Sequence, residues 1–406
     1  MRTRTAVRFA GGYGLSVVVS GVVSLAVIPT VIIAAGDRAW AAIAVAQAVA
    51  GFASVLAVYG WGVVGPTRVA ALEPERRGAY FYDSLLSRMW LAVVIVPIAV
   101  LIAVALVPGY PLLAALTVAS GTLVSLGAGW FYVGEASPLR FLLLDTGPRT
   151  IGTVAGAVVL IVTRDAVWFA ALQLAGVLAA GLLSSWDILR RYRGWTPGIS
   201  VIRAIRGLRG QAAPVAMSAT SSVYLNVPIV LVEVFLPQAT AAYALAERIV
   251  RLSLYATRPV VQVAQGWVPN PDERVMARRA ARVTVLAVVI GGAGGLMYAL
   301  AGPWIGDLLS GGTLAITVAL AVPMAINLAA ILASQLTGFA CLTAFGMDRV
   351  LASSTIVGAI VGTALMTPLL FLLGAPGVAW GLAIAELCVL GVQLLRLIPR
   401  LRSAAS

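Results

Sequence analysis

Residues 89–107 read MWLAVVIVPIAVLIAVALV, a stretch without a single charged side chain. An α-helix rises about 1.5 Å per residue, so a run of this length crosses most of the hydrocarbon core of a bilayer, which is about 30 Å thick. The run also lacks the period-2 alternation of a β-barrel strand. It therefore predicts a transmembrane helix.

Eleven further apolar stretches of comparable length occur along the 406 residues. The chain is 61% hydrophobic and only 11% charged, whereas soluble domains are about 25% charged. We therefore predict an all-α polytopic membrane protein. Its twelve predicted spans are 9–35, 41–64, 89–107, 111–133, 141–162, 166–183, 212–235, 239–263, 283–301, 314–340, 351–373 and 378–397.

The basic residues decide the orientation. All 28 are arginines, and 24 of them lie on alternate connections that share one side, or 26 if Arg248 and Arg251 inside a span are included. Only Arg38 and Arg164 lie on the other side. The positive-inside rule then predicts that this side is cytoplasmic and that both termini lie on it.

The same arginines explain the net charge of +13. Arginine runs beside spans predict contact with anionic membrane lipids, and without a basic soluble domain we predict no nucleic-acid partner. The N-terminus combines a basic start with a long apolar span and no convincing cleavage site, which favours a retained first helix over a signal peptide.

The two halves of the chain resemble one another. The longest hydrophilic connection, 186–210, follows the sixth span, and Pro29 and Pro228 occupy similar late positions in the first and seventh spans. We predict two pseudo-symmetric six-helix lobes, 1–195 and 196–406, around a central cavity. Chance coincidence in alanine-rich helices is the alternative. Because proline removes a backbone hydrogen bond, Pro29 and Pro228 are candidate hinges, or else passive kinks.

No catalytic constellation is present in the sequence. The chain has no histidine, no phosphate-binding glycine loop and no Cys/His spacing typical of a metal site. We therefore predict no enzyme activity, no metal and no cofactor. Cys341 and Cys388 lie in or beside spans and are interpreted as small buried hydrophobic residues.

The charges that fall inside the predicted spans are the candidate binding residues. Glu247, Arg251 and Arg258 lie within about 40° of one another on a helix, with Arg248 on the flank. A charge at mid-bilayer costs about 2.5–3.5 kcal/mol, so this stripe should face a wet cavity or protein partners. A Glu247–Arg251 pair leaves Arg248 in surplus, which favours an anionic ligand such as phosphate. The alternatives are a self-neutralised pair between helices and, for Arg258, snorkelling to the interface.

Three further carboxylates are placed inside or beside spans. Glu233 and Glu386 are candidates for binding a coupling cation or proton, although Glu386 also suits a protonated hydrogen bond between helices. Asp145 and Arg149 are four residues apart, which favours a structural ion pair.

Six segments of the chain resemble the Wzx-type oligosaccharide flippases of the multidrug/oligosaccharidyl-lipid/polysaccharide exporter superfamily. They are residues 59–61 (YGW), 66–70 (PTRVA), 130–135 (WFYVGE), 243–248 (YALAER), 342–349 (LTAFGMDR) and 374–380 (GAPGVAW). No single motif is specific, but the order and spacing match over nearly the whole chain. The short loops of this chain depart from the family.

The resemblance implies a protein of the bacterial plasma (inner) membrane. It implies transfer of a polyprenyl-pyrophosphate-linked oligosaccharide from the inner to the outer leaflet by alternating access. It implies that Arg68, Glu247 and Arg248 are the matching motif charges. Polysaccharide polymerase and glycosyltransferases are then possible partners in cell-surface polysaccharide (O-antigen) biosynthesis.

Three alternatives remain open at this point. A multidrug or metabolite antiporter of the same superfamily would need an acidic residue in a lobe core, and the first six spans offer no acidic residue at a central position. A peptidoglycan-precursor flippase would have extra helices. A membrane glycosyltransferase or polymerase would need a large outer loop, whereas the longest one here holds about a dozen residues by the span lengths above.

Overall fold

A computed structural model describes residues 3–192, 195, 198, 200–208 and 212–405, and every regular element in that part of the chain is helical. Side chains are described for residues 19–404, except at some positions between 193 and 223. Several arginines of the orientation count therefore lie outside the description, either wholly (Arg2, Arg193, Arg209) or as side chains (Arg4, Arg8, Arg203). The chain divides into two compact units, the N unit (Met1–Val230) and the C unit (Leu231–Ser406).

The N unit begins with long helices and is interrupted by short ones around residue 130. Its helices are α1 (Thr3–Ala35), α2 (Asp37–Val58), α3 (Trp61–Ala71), α4 (Pro74–Leu106), α5 (Pro111–Leu123), α6 (Gly129–Gly134), α7 (Pro138–Arg140), α8 (Gly147–Thr163), α9 (Ala166–Arg191) and α10 (Val201–Leu208). A 3₁₀ turn (Val124–Leu126) follows α5, and a π-helical segment (Phe141–Thr146) precedes α8.

The C unit is built from long helices with short connections. α11 (Ala212–Phe235) runs across the boundary between the units and is followed by a 3₁₀ turn, Pro237–Ala239. The remaining helices are α12 (Thr240–Trp267), α13 (Glu273–Ser310), α14 (Val318–Leu336), α15 (Asp348–Leu373) and α16 (Ala375–Ala405). A π-helical segment, Thr337–Leu342, extends α14.

The predicted class, an all-α polytopic membrane protein, is confirmed. Nine helical segments of the described chain are long and apolar enough to cross a membrane. The other three predicted spans coincide with α1, α11 and α12. The described parts of α1 and α11 contribute shorter apolar helices, Val19–Ala35 and Tyr224–Phe235. α12 holds four charged side chains, which lower its hydropathy.

The candidate hinges lie inside helices, Pro29 in α1 and Pro228 in α11. Their role in bending stays a prediction, as does the repeat boundary at residue 195. The compact units divide later, after Val230. One reason is that α10 packs on α4, where the Ser87 hydroxyl donates to the Ala204 carbonyl over 2.8 Å.

Each unit has its own core. In the N unit, aromatic side chains pack edge to face, with the Trp61 and Tyr80 ring centroids 5.2 Å apart. In the C unit, α12, α13, α14 and α16 share an aliphatic cluster that includes Cys341, which is buried and free as predicted. Cys388 is free and half-buried.

Small residues bring neighbouring helices close in both units. A Cβ at Gly152 of α8 would lie 2.8 Å from the Gly176 Cα of α9, and one at Gly295 of α13 would lie 2.7 Å from the Ala325 carbonyl oxygen of α14. Glycine is therefore required at these positions, in the way that small residues serve membrane helix pairs generally.

Candidate functional site

The charged stripe, defined here as Glu247, Arg248, Arg251 and Arg258, lies on α12 in the C unit. The Arg251 Nη2 atom is 2.6 Å from the Glu247 Oε1 atom, and the Arg251 Nε group donates to the same oxygen over 3.1 Å. This confirms the ion pair predicted from the four-residue spacing. The two side chains are 36% and 16% exposed, so the pair is half-buried rather than at a fully solvated surface.

Arg248 carries the surplus positive charge of the stripe. Its side chain is half-buried, and its Nε group is buried without a hydrogen-bond partner among the described residues. A buried N–H group without an acceptor is costly, so this atom is suited to an oxygen supplied by a ligand. A guanidinium group fits carboxylate and phosphate oxygens in particular.

A further buried polar group lies on the helix face of the Glu247–Arg251 pair. Tyr243, one turn before Glu247 on α12, is fully buried, and its hydroxyl also has no hydrogen-bond partner in the described part of the chain. Tyr298 of α13 donates to the Ala246 carbonyl over 2.9 Å and fixes α13 against this turn of α12. This stretch of α12 therefore carries a cation, an ion pair and an unpartnered hydroxyl.

The other predicted cargo-binding arginines are more exposed. Arg258 is exposed and places its guanidinium carbon 4.4 Å from the centroid of the Tyr255 ring. Arg68 is exposed on α3, in the N unit, whereas the charged stripe belongs to the C unit. The structure thus brings Glu247 and Arg251 together, and binding roles for Arg68 and Arg258 stay predictions.

The two candidate coupling carboxylates differ in burial. Glu233 on α11 is 5% exposed, and Glu386 on α16 is half-buried. No three His, Cys, Asp or Glu side chains of the described chain come together as a group that could hold a metal ion. A coupling role for either glutamate stays a prediction.

One arginine of the N unit is buried, contrary to the prediction. The sequence predicts that Arg88 lies on a cytoplasmic connection, yet its side chain on α4 is 0% exposed. Its Nη1 group donates to the Ser125 carbonyl over 2.7 Å and to the Gly127 carbonyl over 2.8 Å. The guanidinium also faces the Trp130 ring at 5.4 Å from its centroid. Nothing in the sequence distinguishes Arg88 from the flanking arginines that face water.

These contacts explain why the fourth predicted span is broken. The sequence predicts a continuous helix over 111–133, whereas the helix stops at Leu126 and resumes at Gly129. Breaking a helix frees carbonyls at one end and N–H groups at the other. Arg88 satisfies carbonyls on the first side, and the Asp145 carboxylate accepts hydrogen bonds from the backbone of Ala128 and Gly129 on the second.

Glycine is needed at this break. A Cβ at Gly127 would lie 2.8 Å from an oxygen of the Asp145 carboxylate, and one at Gly129 would lie 3.2 Å from the other. Asp145 is 2% exposed and forms the predicted ion pair with Arg149. We call Arg88, Asp145 and Arg149 the break clamp, because they hold non-helical backbone that would be unsatisfied in lipid.

A second ionic cluster ties the end of α6 to the end of α9. Arg191 pairs with Glu135, and its Nη2 atom is 2.7 Å from the Asp187 Oδ2 atom. The Tyr192 hydroxyl donates to Glu135 over 2.6 Å, and the Tyr132 hydroxyl donates to Asp187 over 3.0 Å. These bonds join neighbouring helix ends of one unit, so we interpret the cluster as structural.

This cluster makes the stability of the protein depend on pH. Burial alone would raise the pKa of the Glu135 carboxyl, but hydrogen bonds from Arg191 and Tyr192 lower it below its ordinary value. A carboxyl with a lowered folded-state pKa adds stability above its unfolded pKa of about 4.3 and loses it as the pH falls through the folded-state value.

We therefore expect Glu135→Gln to lower the free energy of unfolding by about 2 kcal/mol at pH 7. The difference from wild type should persist down to the unfolded-state pKa of about 4.3 and shrink below it, as the pH falls through the lowered folded-state pKa of Glu135. Thermal unfolding in detergent between about pH 2.5 and pH 8 measures both effects. Glu75→Gln, at an exposed carboxylate in the first turn of α4, serves as the control. A Glu135→Gln effect that stays constant across this pH range would contradict the assignment.

Comparison with known proteins identifies the fold. No protein-family model matches the chain, and no curated protein matches its sequence. Solved structures do match. One is an inward-facing multidrug resistance MATE family transporter of the MOP superfamily, at 18% identity and a TM-score of 0.60 over 94% of each chain. A point mutant of a MATE protein matches at 16% identity and a TM-score of 0.55, over 98% of this chain and 96% of the other.

A mutant of the Vibrio cholerae MATE transporter VcmN matches at 14% identity and a TM-score of 0.54, over 98% of this chain and 97% of the other. The structural neighbours are thus MATE transporters of the MOP superfamily, and the chain shares their fold over nearly its whole length. At these identities, the likeness concerns the fold.

Proposed function

We propose that the chain is a multi-pass membrane transporter that exports small organic molecules. The observation that carries this proposal is the fold, which resembles that of a multidrug resistance MATE transporter over almost all of both chains. Of the alternatives considered from the sequence, the multidrug or metabolite antiporter is the one that this likeness favours. The same proposal includes the cytoplasmic location of both termini, which rests on the distribution of arginines. It also includes the bacterial inner membrane, which rests on the family resemblance of the sequence.

The charged stripe suggests the chemistry of the cargo. Glu247 is neutralised by Arg251, so the remaining charge of this turn of α12 is the positive one on Arg248. Moving an anion through a membrane requires that its charge be compensated, because the transfer of an isolated ion to hydrocarbon costs tens of kcal/mol. We therefore propose that the exported molecule carries a carboxylate, sulfonate or phosphate group.

Transport by the purified protein in proteoliposomes tests this proposal. We expect an imposed proton or sodium gradient to drive uptake of a fluorescent organic anion at a rate at least several times that of protein-free vesicles. A fluorescent organic cation of similar size is the matched probe. Transport of the cation alone would contradict the proposed cargo charge. If neither probe is taken up under either gradient, small-molecule export is contradicted.

A second candidate function is the flipping of polyprenyl-pyrophosphate-linked oligosaccharide, as the sequence resemblance implies. The surplus charge of Arg248 favours it, because a pyrophosphate is the strongest anion such a cargo could present. Polysaccharide polymerase and glycosyltransferases would be the partners of that activity. A leaflet-accessibility assay with a labelled polyprenyl-pyrophosphoryl sugar, run in the same proteoliposomes, separates the two functions.

A further inference from the structure

An apolar trough lies between the second half of α12 and the first half of α13, within the C unit. It encloses about 430 Å³ and is walled by Pro259, Val263 and Trp267 on α12 and by Arg282 and Leu286 on α13. The three α12 residues are spaced by four, so they form one face of the helix. Val263 is 71% exposed and Leu286 is 45% exposed, so the walls are open to the surroundings of the unit.

The trough has a buried floor where α12 and α13 pack together. Ala264 and Val283 form its floor and are 6% and 3% exposed. Pro259 cannot donate a backbone hydrogen bond and has a rigid ring, which favours a local change of direction in α12. An open apolar trough on a membrane-spanning helix pair is filled by apolar chain rather than by water.

One end of the trough carries an uncompensated positive charge. Arg282 is exposed, and no hydrogen bond or ion pair joins it to another described residue. Its neighbour one turn away, Arg279, is already engaged, because it donates to the Trp267 carbonyl over 2.7 Å and lies 5.3 Å from the Trp267 ring centroid. Glu273, in the first turn of α13, is also engaged, because its Oε1 atom lies 2.6 Å from the Arg400 Nη2 atom.

Tryptophan and arginine together are typical of the level where a bilayer changes from acyl chains to headgroups. The trough therefore offers an apolar slot and, at its end, a free guanidinium at the height of lipid phosphates. We propose that this trough is a binding site for an anionic phospholipid, with one acyl chain in the slot and the phosphate on Arg282. A zwitterionic lipid places a compensating cation in its headgroup and gains less from Arg282. The site is independent of the exported cargo, which the charged stripe would bind.

Trp267 lines the trough and reports on its occupancy. We would reconstitute the full chain in vesicles containing brominated phosphatidylglycerol or brominated phosphatidylcholine, whose bromines quench indole fluorescence on contact. Subtracting the signal of a Trp267→Phe variant isolates this tryptophan from the other nine of the ten in the chain. We expect Trp267 to be half-quenched at a clearly lower fraction of brominated phosphatidylglycerol than of brominated phosphatidylcholine.

Removing the charge of Arg282 should reduce the preference of the trough for phosphatidylglycerol over phosphatidylcholine. One arginine at a membrane surface is worth about fivefold in binding to an anionic lipid, so Arg282→Gln should raise the half-quenching fraction of phosphatidylglycerol about fivefold. The phosphatidylcholine curve should not change. Arg349→Gln removes the same charge from an exposed position of α15, a helix that does not line the trough, and should leave both curves at wild-type values.

Several outcomes would overturn the proposal. Equal curves for the two lipids would mean that ordinary boundary lipid fills the trough. Protection of Trp267 from both lipids would mean that protein covers it, as in a dimer. Relief of quenching by millimolar inorganic phosphate would indicate a free-anion site, and displacement of phosphatidylglycerol only by a polyprenyl phosphate would indicate a cargo-tail site. Size-exclusion chromatography of Arg282→Gln checks that the variant is folded.

Discussion

Replacing Arg88 with methionine is expected to lower the free energy of unfolding by about 3–5 kcal/mol, the usual cost of removing one partner from a buried ionic group. Methionine keeps much of the side-chain volume but donates no hydrogen bond. The Ser125 and Gly127 carbonyls would lose their donor inside the N unit. The Asp145 carboxylate would lose one of its two neighbouring cations.

Unfolding of the purified protein by titration with a denaturing detergent, or its thermal unfolding in a mild one, measures this loss. Arg76→Met, at an exposed arginine in the first turns of the same helix, is the matched control and should change stability by less than about 0.5 kcal/mol. Arg88→Lys should fall between the two, because an ammonium cannot reproduce the planar fork of donors.

The coupling within the break clamp is tested by a double-mutant cycle. Arg88→Met and Asp145→Asn should cost less together than the sum of their separate effects, because either single variant already removes the attraction between these two charges. An Arg88→Met protein within 1 kcal/mol of wild type would show that the break in the fourth span does not depend on this side chain.

The second large effect concerns transport. We expect Arg248→Gln to reduce transport of an anionic cargo at least tenfold, equivalent to about 1.4 kcal/mol or more. The cause is the loss of the one cation of the stripe that is neither paired with Glu247 nor stacked in the open. Glutamine keeps a donor and much of the length, so folding should be preserved. Initial rates in proteoliposomes, normalised to incorporated protein, give the measurement.

Two further variants help to interpret the result for Arg248→Gln. Arg251→Gln should also reduce transport, but it should reduce stability as well, because it leaves Glu247 half-buried without its partner. Arg396→Gln changes an exposed arginine of α16 and should leave the rate at the wild-type value. Unchanged rates for Arg248→Gln with both the small anion and the polyprenyl-pyrophosphoryl sugar would exclude the charged stripe as the cargo site.

Most of the architecture of this protein can be predicted from its apolar segments. Each predicted span coincides with a helix or with consecutive helical segments, because an apolar segment in lipid must satisfy its backbone internally. Ion pairs within one helix can be predicted equally well, since residues four apart on a helix are neighbours. Glu247 with Arg251 and Asp145 with Arg149 both follow from that geometry.

The break clamp cannot be predicted from apolar segments or from residue spacing. Arg88 stands directly before an apolar run, as do arginines that face water, and only the path of the fourth span decides that it points inward. That path depends in turn on contacts with residues 37 and more positions away in the sequence. The glycines at 127 and 129 were visible in the sequence. Their need for space beside Asp145 was not, because helix periodicity says nothing about which side chain fills a gap between helices.

The length of α13 has a consequence for how the chain meets the water on either side. Its 38 residues extend about 57 Å at 1.5 Å per residue. Even tilted by about 40°, such a rod exceeds a hydrocarbon layer of about 30 Å. Several of its turns must therefore lie outside the hydrocarbon layer. Arg274 and Arg278 lie on its first turns and identify the N-terminal end as the part that does. Amide hydrogens there should exchange with deuterated solvent, whereas those of 283–301 should stay protected, so a single continuous helix can report the depth at which the protein sits.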